Sequence, residues 1–365
     1  MAQNYHTFID ISVFDRKIRS IQEEIDLTPH SIGYLEFLDK NIDFSVIRFG
    51  ANLQEQKPFF LYRYHFGDLL RAYRLFMSKK NAVVLFHGFS FPIRFYLLSA
   101  LFGKRFKWII QHHAGNPSEN RLKRAIQKKC YSRADCYLFV SVEQAQPFVA
   151  AGLVRFESQV REIMECSTGF VLKNKQVCRD ILKIDHDRMT FIWVGDLDEN
   201  KDPFCMLEAL SSYKKAGNEF VAYMFFAESN LLPIMKSFIA ENDLAGDIIL
   251  KGKVDNKELE NWFNAADYFI SCSHSEGSGI ALAEAMACGC IPLVSNIPSF
   301  VQMTAGSAAL LFEKGNSNSL LKLLLSLNTS EIELNRLETR QVFNDELSFE
   351  AIGRKTSAVI AEFYQ

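Results

Sequence analysis

The sequence predicts an α/β protein built from two Rossmann-like, doubly wound domains. Three observations carry that expectation. The chain, at 365 residues, is longer than one typical domain. Short apolar runs alternate with amphipathic helical stretches from one end to the other, the pattern of parallel sheets covered on both faces. The alternation breaks once, over the polar stretch 160–188, and then restarts. In the first half the expected strands are 7–12, 44–49, 83–87, 108–112 and 137–141, separated by helical patterns at 32–40, 67–79, 92–101, 119–131 and 142–150. In the second half the expected strands are 190–194, 222–226, 248–250, 268–272 and 291–294. Helical patterns there cover 203–216, 231–241, 256–265, 280–288, 319–327 and 349–363. The domains are placed at 1–168 and 169–346, with 347–365 as a terminal helix.

Composition narrows the function classes. Hydrophobic residues make up 48% and charged residues 23%, a globular mixture able to fill two cores. The start MAQNYHTFID lacks the basic, apolar and small-residue regions of a secretory leader. No run of apolar residues is long enough to span a bilayer. The eight cysteines show no CxxC pair, so buried reduced thiols and a cytoplasmic setting are expected rather than a zinc site. Neither half carries GxGxxG, which argues against a dinucleotide-dependent dehydrogenase. The net charge of −2 hides an asymmetry: residues 1–165 are net +7 and the remainder net −9. The basic side concentrates in 104–107 and in Arg121, Lys123, Arg124, Lys128 and Lys129. Such a cluster is either a solvated helix face or a site for anionic lipid headgroups or an acidic acceptor. No nucleic-acid partner is expected.

The chemistry concentrates after the expected strand 268–272. A polar loop leads through Glu276 to Gly277, Ser278 and Gly279, which open an apolar helix ending at Gly289. Backbone N–H groups at a helix start form an anion site, and small residues let a phosphate approach. Glu284 lies eight residues beyond Glu276, roughly 10–12 Å along a helix. Its helix neighbours are Ile280, Ala281, Leu282, Ala283, Ala285, Met286 and Ala287. A helix apolar all round is buried, and an unpaired buried carboxylate is costly, so Glu284 is expected to meet a ligand rather than point to solvent.

Glu276-x7-Glu284, followed by Ala285-Met-Ala-Cys-Gly-Cys-Ile-Pro292, resembles the signature of family-4 retaining glycosyltransferases. Gly252-Lys253-Val254 and Ala265-Ala266-Asp267 fit the same pattern. So does the loop Gly195-Asp-Leu-Asp-Glu-Asn-Lys201-Asp-Pro203. The resemblance implies a GT-B fold, with two Rossmann-like domains facing a cleft and a C-terminal helix crossing back to the N-terminal domain. It implies transfer of a hexosyl group, with retention, from a nucleotide diphosphate sugar. Glu276 would accept hydrogen bonds from donor-sugar hydroxyls and Glu284 would hold the ribose. Lys201 would neutralise the diphosphate. Gly277, Ser278 and Gly279 would donate N–H groups to phosphate, Gly195 and Asp196 would belong to the donor-phosphate loop, and Lys253 and Val254 would frame the base. The glycines could equally serve turn geometry alone. The pattern departs at Asp196, where the family usually has an arginine, and at the turn Ala227-Glu228-Ser229, where it usually has a glycine.

The N-terminal half matches less closely. Gly33, after Thr28 and Ser31, is the candidate for the acceptor-side loop, and either Thr28 or Ser31 is a candidate cap for the helix there. His113, with His112 as the fallback, matches a family histidine near the reacting sugar, where a neutral imidazole could donate to a donor hydroxyl or orient the acceptor. His87 could line the same region. Asp135 and Ser141 read as structural. The tripeptides Asp196-Leu-Asp198 and Asp185-His-Asp187 mimic a DxD metal motif by coincidence; neither metal nor cofactor is expected. The reading is therefore a glycosyltransferase with candidate catalytic residues Glu276, His113 and Lys201. It would act on a glycan or lipid-linked acceptor in cell-envelope or polysaccharide assembly, and work in the cytoplasm or peripherally at the inner membrane face. Its alternative, motivated by Asp196, is a non-catalytic nucleotide-sugar-binding subunit of an active enzyme.

Overall fold

The computed structural model describes residues 6–15, 17–113, 115–227, 231–306 and 309–364. The turn at Glu228 and Ser229 lies outside them. The chain divides into two compact units, Met1–Ser167 together with Phe349–Gln365, and Thr168–Ser348.

The first unit opens with β1 (His6–Asp15), α1 (Ile21–Leu27), α2 (Pro29–Ile32) and a 3-10 segment, Gly33–Phe37. It continues through β2 (Ile42–Phe49), β3 (Gln54–Gln56), β4 (Phe59–Tyr62), α3 (Phe66–Ser78), β5 (Val83–His87) and α4 (Pro92–Phe102). Then follow β6 (Lys107–Gln111), α5 (Arg121–Tyr131), β7 (Cys136–Phe139), α6 (Val142–Ala150) and β8 (Val160–Glu162). The sheet order is β3-β4-β2-β1-β5-β6-β7-β8, parallel except for β3 against β4. Central strands such as β5, VVLFH, are buried at every position, as strands covered on both faces must be. From β1 the chain winds one way to β2 and the other way to β5 through β8. Right-handed crossovers therefore put α3, α4 and α5 on one face of the sheet.

The second unit holds α7 (Lys175–Leu182), β9 (Thr190–Val194), α8 (Pro203–Lys215), β10 (Val221–Phe225), α9 (Leu232–Glu241), β11 (Ile248–Leu250) and α10 (Asn256–Ala265). It goes on through β12 (Tyr268–Ser271), α11 (Ile280–Ala287), β13 (Ile291–Ser295), α12 (Pro298–Met303), β14 (Leu310–Phe312), α13 (Ser317–Leu325) and α14 (Ile332–Val342), which runs into a π turn over Phe343–Leu347. Its six strands are all parallel, in the order β11-β10-β9-β12-β13-β14. Two doubly wound parallel sheets are thus present, the α/β class expected.

The final helix, α15 (Phe349–Glu362), belongs to the first unit. Two glycines admit it. A Cβ on Gly33 would sit 2.6 Å from the Phe349 ring, and one on Gly353 would sit 2.7 Å from Phe37. Beyond the helix, the Tyr364 hydroxyl accepts the Thr7 N–H at 2.9 Å, and Arg161 grips Glu362 with two N–H groups at 3.1 and 2.7 Å.

Several elements differ from the sequence expectation. The helix expected over 32–40 is instead the last residue of α2, the 3-10 segment and the turn that leads to β2. Pro29 starts a new turn, and Thr28 donates its hydroxyl to Glu24 O rather than capping α2. Stretch 160–188 is not irregular throughout, since it holds β8 and α7. The polar look of α7 has a physical cause: its inner face is filled by Arg179, which donates to the carbonyls of Ala265 and His186 and pairs with Asp267 at 2.9 Å. Apolar periodicity cannot report a helix whose buried face is charged. Strands β3, β4 and β14, and helices α12 and α14, are short or weakly periodic and were not anticipated. All eight cysteines are buried thiols.

Candidate active site

In the second unit the chain winds outward from β9 to β10 and β11, then returns to β12 on the other side. The switch point lies between the carboxyl ends of β9 and β12, where open α/β sheets bind ligands. The loop after β9 carries Gly195 to Lys201, and the loop after β12 carries Ser273 to Gly279. Topology thus brings together two segments that sequence reading singled out separately.

The two loops are tied to each other. His274 N–H donates to Asn200 O at 2.7 Å, and Asn200 Nδ2 donates to Ser275 O at 3.0 Å. Asp202 holds both sides: Oδ1 caps α8 by accepting the Cys205 N–H, while Oδ2 meets His274 Nε2 at 3.0 Å. Within the first loop, Asp198 accepts the Lys201 N–H at 2.8 Å. Lys201 Nζ is then aimed at Glu276 Oε1, and the two form a half-buried ion pair. Asn200, Asp202 and His274 were missed at the sequence level, because their roles depend on partners more than 70 residues away.

Gly279 opens α11 with φ +52°, and no side chain caps the helix. A Cβ there would lie 2.9 Å from Phe300, so both backbone and space demand glycine. One turn further on stands Glu284, only 6% exposed. Among the described residues nothing hydrogen-bonds its carboxylate. Burial alone pushes its pKa from 4.5 up to about 7.

The other expected donor-side residues lie in the loops that follow β9 and β11. A Cβ on Gly195 would touch Trp193 and Lys201 side chains at 3.3 and 3.4 Å, so this glycine gives the lysine room. Asp196 is exposed and makes no ion pair among the described residues. Lys253 is exposed and Val254 half-buried in the turn after β11, which Gly252 enters at φ +70°. Among the described residues no three His, Cys, Asp or Glu side chains gather into a metal-holding group.

The first unit has its own switch point, between β1 and β5, and a polar cavity of about 250 Å³ lies beside it. Ser12, Thr28, Ser31, Arg48, His87 and His113 are among its lining residues. Gly33 is not; it serves the close approach of Phe349. Behind the cavity Arg48 is buried between Asp10 at 2.6 Å and Glu24 at 2.9 Å. Burial opposes the Asp10 charge, but Arg48 and His87 outweigh it and hold that carboxyl well below its usual range. A hydrogen-bonded row follows: Asp10 to His87 Nε2 at 3.0 Å, His87 Nδ1 to His113 Nε2 at 3.0 Å, and His113 Nδ1 to Glu165. Each of the three links needs one proton, whereas two neutral imidazoles supply two. Burial lowers the His87 pKa against the pull of Asp10, which favours the neutral imidazole. The neighbouring His112 is packed away instead, stacked on Phe139 at 4.9 Å with Nε2 on Gly115 O at 3.1 Å. Asp135, which accepts the Trp108 N–H, and Ser141, which caps α6, are structural, as read.

The two Rossmann-like units have the architecture of the GT-B fold class. Residues 174–342 match the family model of glycosyl transferases group 1, so the second unit is a domain of that family. Over 73 residues the chain is 36% identical to a GDP-mannose:cellobiosyl-diphosphopolyprenol alpha-mannosyltransferase of Xanthomonas oryzae, covering 20% of this chain and 19% of that one. Over 159 residues it is 28% identical to the amylovoran biosynthesis glycosyltransferase AmsK of Erwinia amylovora, 41% of this chain and 38% of that one. The chain thus matches well under half the length of these curated relatives. Solved structures show the same fold: a glycosyltransferase from Rickettsia africae has TM-score 0.71 at 16% identity, with 99% of both chains covered. HepE of Anabaena, solved with UDP-glucose, has TM-score 0.70 at 11% identity, with 98% of this chain and 100% of that one covered.

Proposed function

We propose that the protein is a retaining glycosyltransferase that moves a hexosyl group from a nucleotide diphosphate sugar to a glycan or lipid-linked acceptor in envelope or polysaccharide assembly. The observation that carries this is Glu284, a buried carboxylate whose missing partners match the two hydroxyls of a ribose. Glu276, just before the same helix, and Lys201, from the loop after β9, supply an acceptor for sugar hydroxyls and a cation for the diphosphate. With no donor bound they neutralise each other; a diphosphate would draw Lys201 off and leave Glu276 to the sugar. The relatives named for GDP-mannose and amylovoran chemistry support the donor and acceptor classes.

Retention follows if the acceptor oxygen bonds to the anomeric carbon on the face from which phosphate departs. The acceptor hydroxyl proton then passes to the leaving phosphate oxygen, and no enzyme nucleophile is needed. His113 is the candidate acceptor-side group, its tautomer set by Glu165 and His87. Binding of the nucleotide without metal is part of the proposal. The second reading, a non-catalytic nucleotide-sugar-binding subunit, is favoured by one observation: exposed Asp196 stands where a second diphosphate cation is usual.

The test is a panel of GDP- and UDP-sugars without metal, following binding and nucleotide release for wild type and Glu276→Ala. One donor should bind, and Glu276→Ala should lower turnover by about 10²–10³-fold, the scale for removing one group that acts on transition-state charge. Binding with no turnover in the presence of glycan and lipid-linked acceptors would establish the subunit reading. No binding by any donor would refute both.

A further inference from the structure

The basic cluster of the first unit has an apolar counterpart that the sequence did not show. Helix α4 is apolar almost all round, with Arg94 its one charged residue. Such a helix is normally buried, yet its outer face is open. Ile93, Leu97 and Leu101, four residues apart and so in one row, are 60%, 61% and 62% exposed. Helix α5 packs beside α4 and repeats the pattern with exposed Leu122 and Ile126. On the other side, α3 joins α4 through Phe76 and Phe102, stacked at 4.7 Å. The crossover argument already places all three helices on one face of the sheet.

Charge says what covers this face. Residues 66–131, which span the three helices, hold thirteen Lys and Arg against two acids, Asp68 and Glu119. On α5, Arg121, Lys123, Lys128 and Lys129 are exposed around the Leu122–Ile126 pair. A second copy of this chain would meet the same positive face and be repelled, and a neutral apolar partner would leave the cations unanswered. Apolar side chains ringed by cations match an anionic bilayer, whose headgroups take the charge while the side chains enter the acyl boundary. No described helix is long and apolar enough to cross a membrane, so the contact is interfacial.

We infer that the face built by α3, α4 and α5 docks the protein on anionic lipid, with Ile93, Leu97 and Leu101 as the inserted row. The inference does not depend on the transfer reaction. It places the first unit at the surface where a lipid-linked acceptor would be held.

The test is sedimentation of the full chain with phosphatidylglycerol–phosphatidylcholine vesicles and with pure phosphatidylcholine vesicles. Wild type should bind the anionic vesicles at least about tenfold better, and less well as salt is raised. Leu97→Glu should cut that binding about tenfold or more with an unchanged thermal melt, since the side chain is exposed. Leu97→Trp should keep binding, and its fluorescence should shift to the blue on anionic vesicles only. Equal binding to both vesicle types, or to neither, overturns the inference. So does sedimentation of Leu97→Trp without a spectral shift, because the row would then not insert. A lipid-free dimer that Leu97→Glu dissociates would assign the face to a second copy and also overturn it.

Discussion

Asp10 of the first unit and Glu284 of the second are both carboxylates that the fold has buried, and their acidities move in opposite directions. Asp10 is held below its usual range, because Arg48 and His87 answer its charge more strongly than burial penalises it. Glu284 is raised to about 7, because burial acts on it alone. The difference lies in the partners, not the depth. A buried acid whose bonds are all made inside the protein is scaffold. A buried acid with none keeps acceptor capacity that a ligand could use. On the proposed function, the contrast separates a framework charge from a binding charge.

The largest effect expected from breaking this contrast is on the framework side. Asp10→Ala leaves Arg48 and the His87–His113 row short of a carboxylate, and removing one member of a buried pair costs about 3–5 kcal/mol. Urea unfolding of the variant would measure it; a loss below about 1 kcal/mol would mean water reaches the pair. The pH dependence has a definite sign. Asp10 is depressed in the folded state, so its contribution is fully present above the ordinary carboxylate range. It is lost as pH falls through the folded value. Wild type should therefore lose stability on acidification by more than Asp10→Ala does.

The next effect is on the binding side, with the sign reversed. Glu284 keeps its proton in the folded protein up to about pH 7, whereas unfolded it loses the proton near 4.5. Stability should therefore fall as pH rises between those values, by about 3 kcal/mol in all, and level off above them. Glu284→Gln should flatten that slope in thermal melts across pH. The same variant should bind nucleotide about tenfold or more weakly, because an amide accepts only one of two diol hydrogen bonds well. A ribose diol favours the ionised acid, so wild-type binding near pH 6.5 should release a proton, seen as a buffer-dependent heat in calorimetry. Identical heats across buffers would remove Glu284 from the ribose.

The smallest effect sharpens the geometry. Gly279→Ala forces a left-handed φ on a residue with a Cβ and pushes that Cβ toward Phe300, costing about 1–3 kcal/mol. Gly195→Ala meets only side-chain atoms at 3.3–3.4 Å and should cost less in stability while displacing Lys201. Paired melts and nucleotide affinities distinguish the two: the first variant should fall mainly in stability, the second mainly in affinity.

Much of the second unit was legible because its chemistry is local. The strand before Glu276, the glycines that open α11 and the apolar helix around Glu284 are neighbours in sequence, and α10 was placed at its observed bounds. That Glu284 is buried also followed from its neighbours alone, since no face of that helix is polar enough to meet water. The first unit was less legible because its key contacts are not local. Asp10 and His87 are 77 residues apart and Arg48 lies between them. Nothing in the local pattern of any one of these residues announces the others.

The sequence by itself determined the two alternating α/β halves, the burial of Glu284 on α11, and the excess of positive charge in the first half. These rest on periodicity, spacing and composition, which a linear chain displays openly. Only the tertiary structure decided that Lys201 pairs with Glu276, that His87 and His113 share a row with Asp10 and Glu165, and that the row Ile93–Leu97–Leu101 is left uncovered beside the basic helix. The physical reason is that partnership and exposure belong to surfaces, and the folded chain makes its surfaces from residues that its sequence keeps far apart.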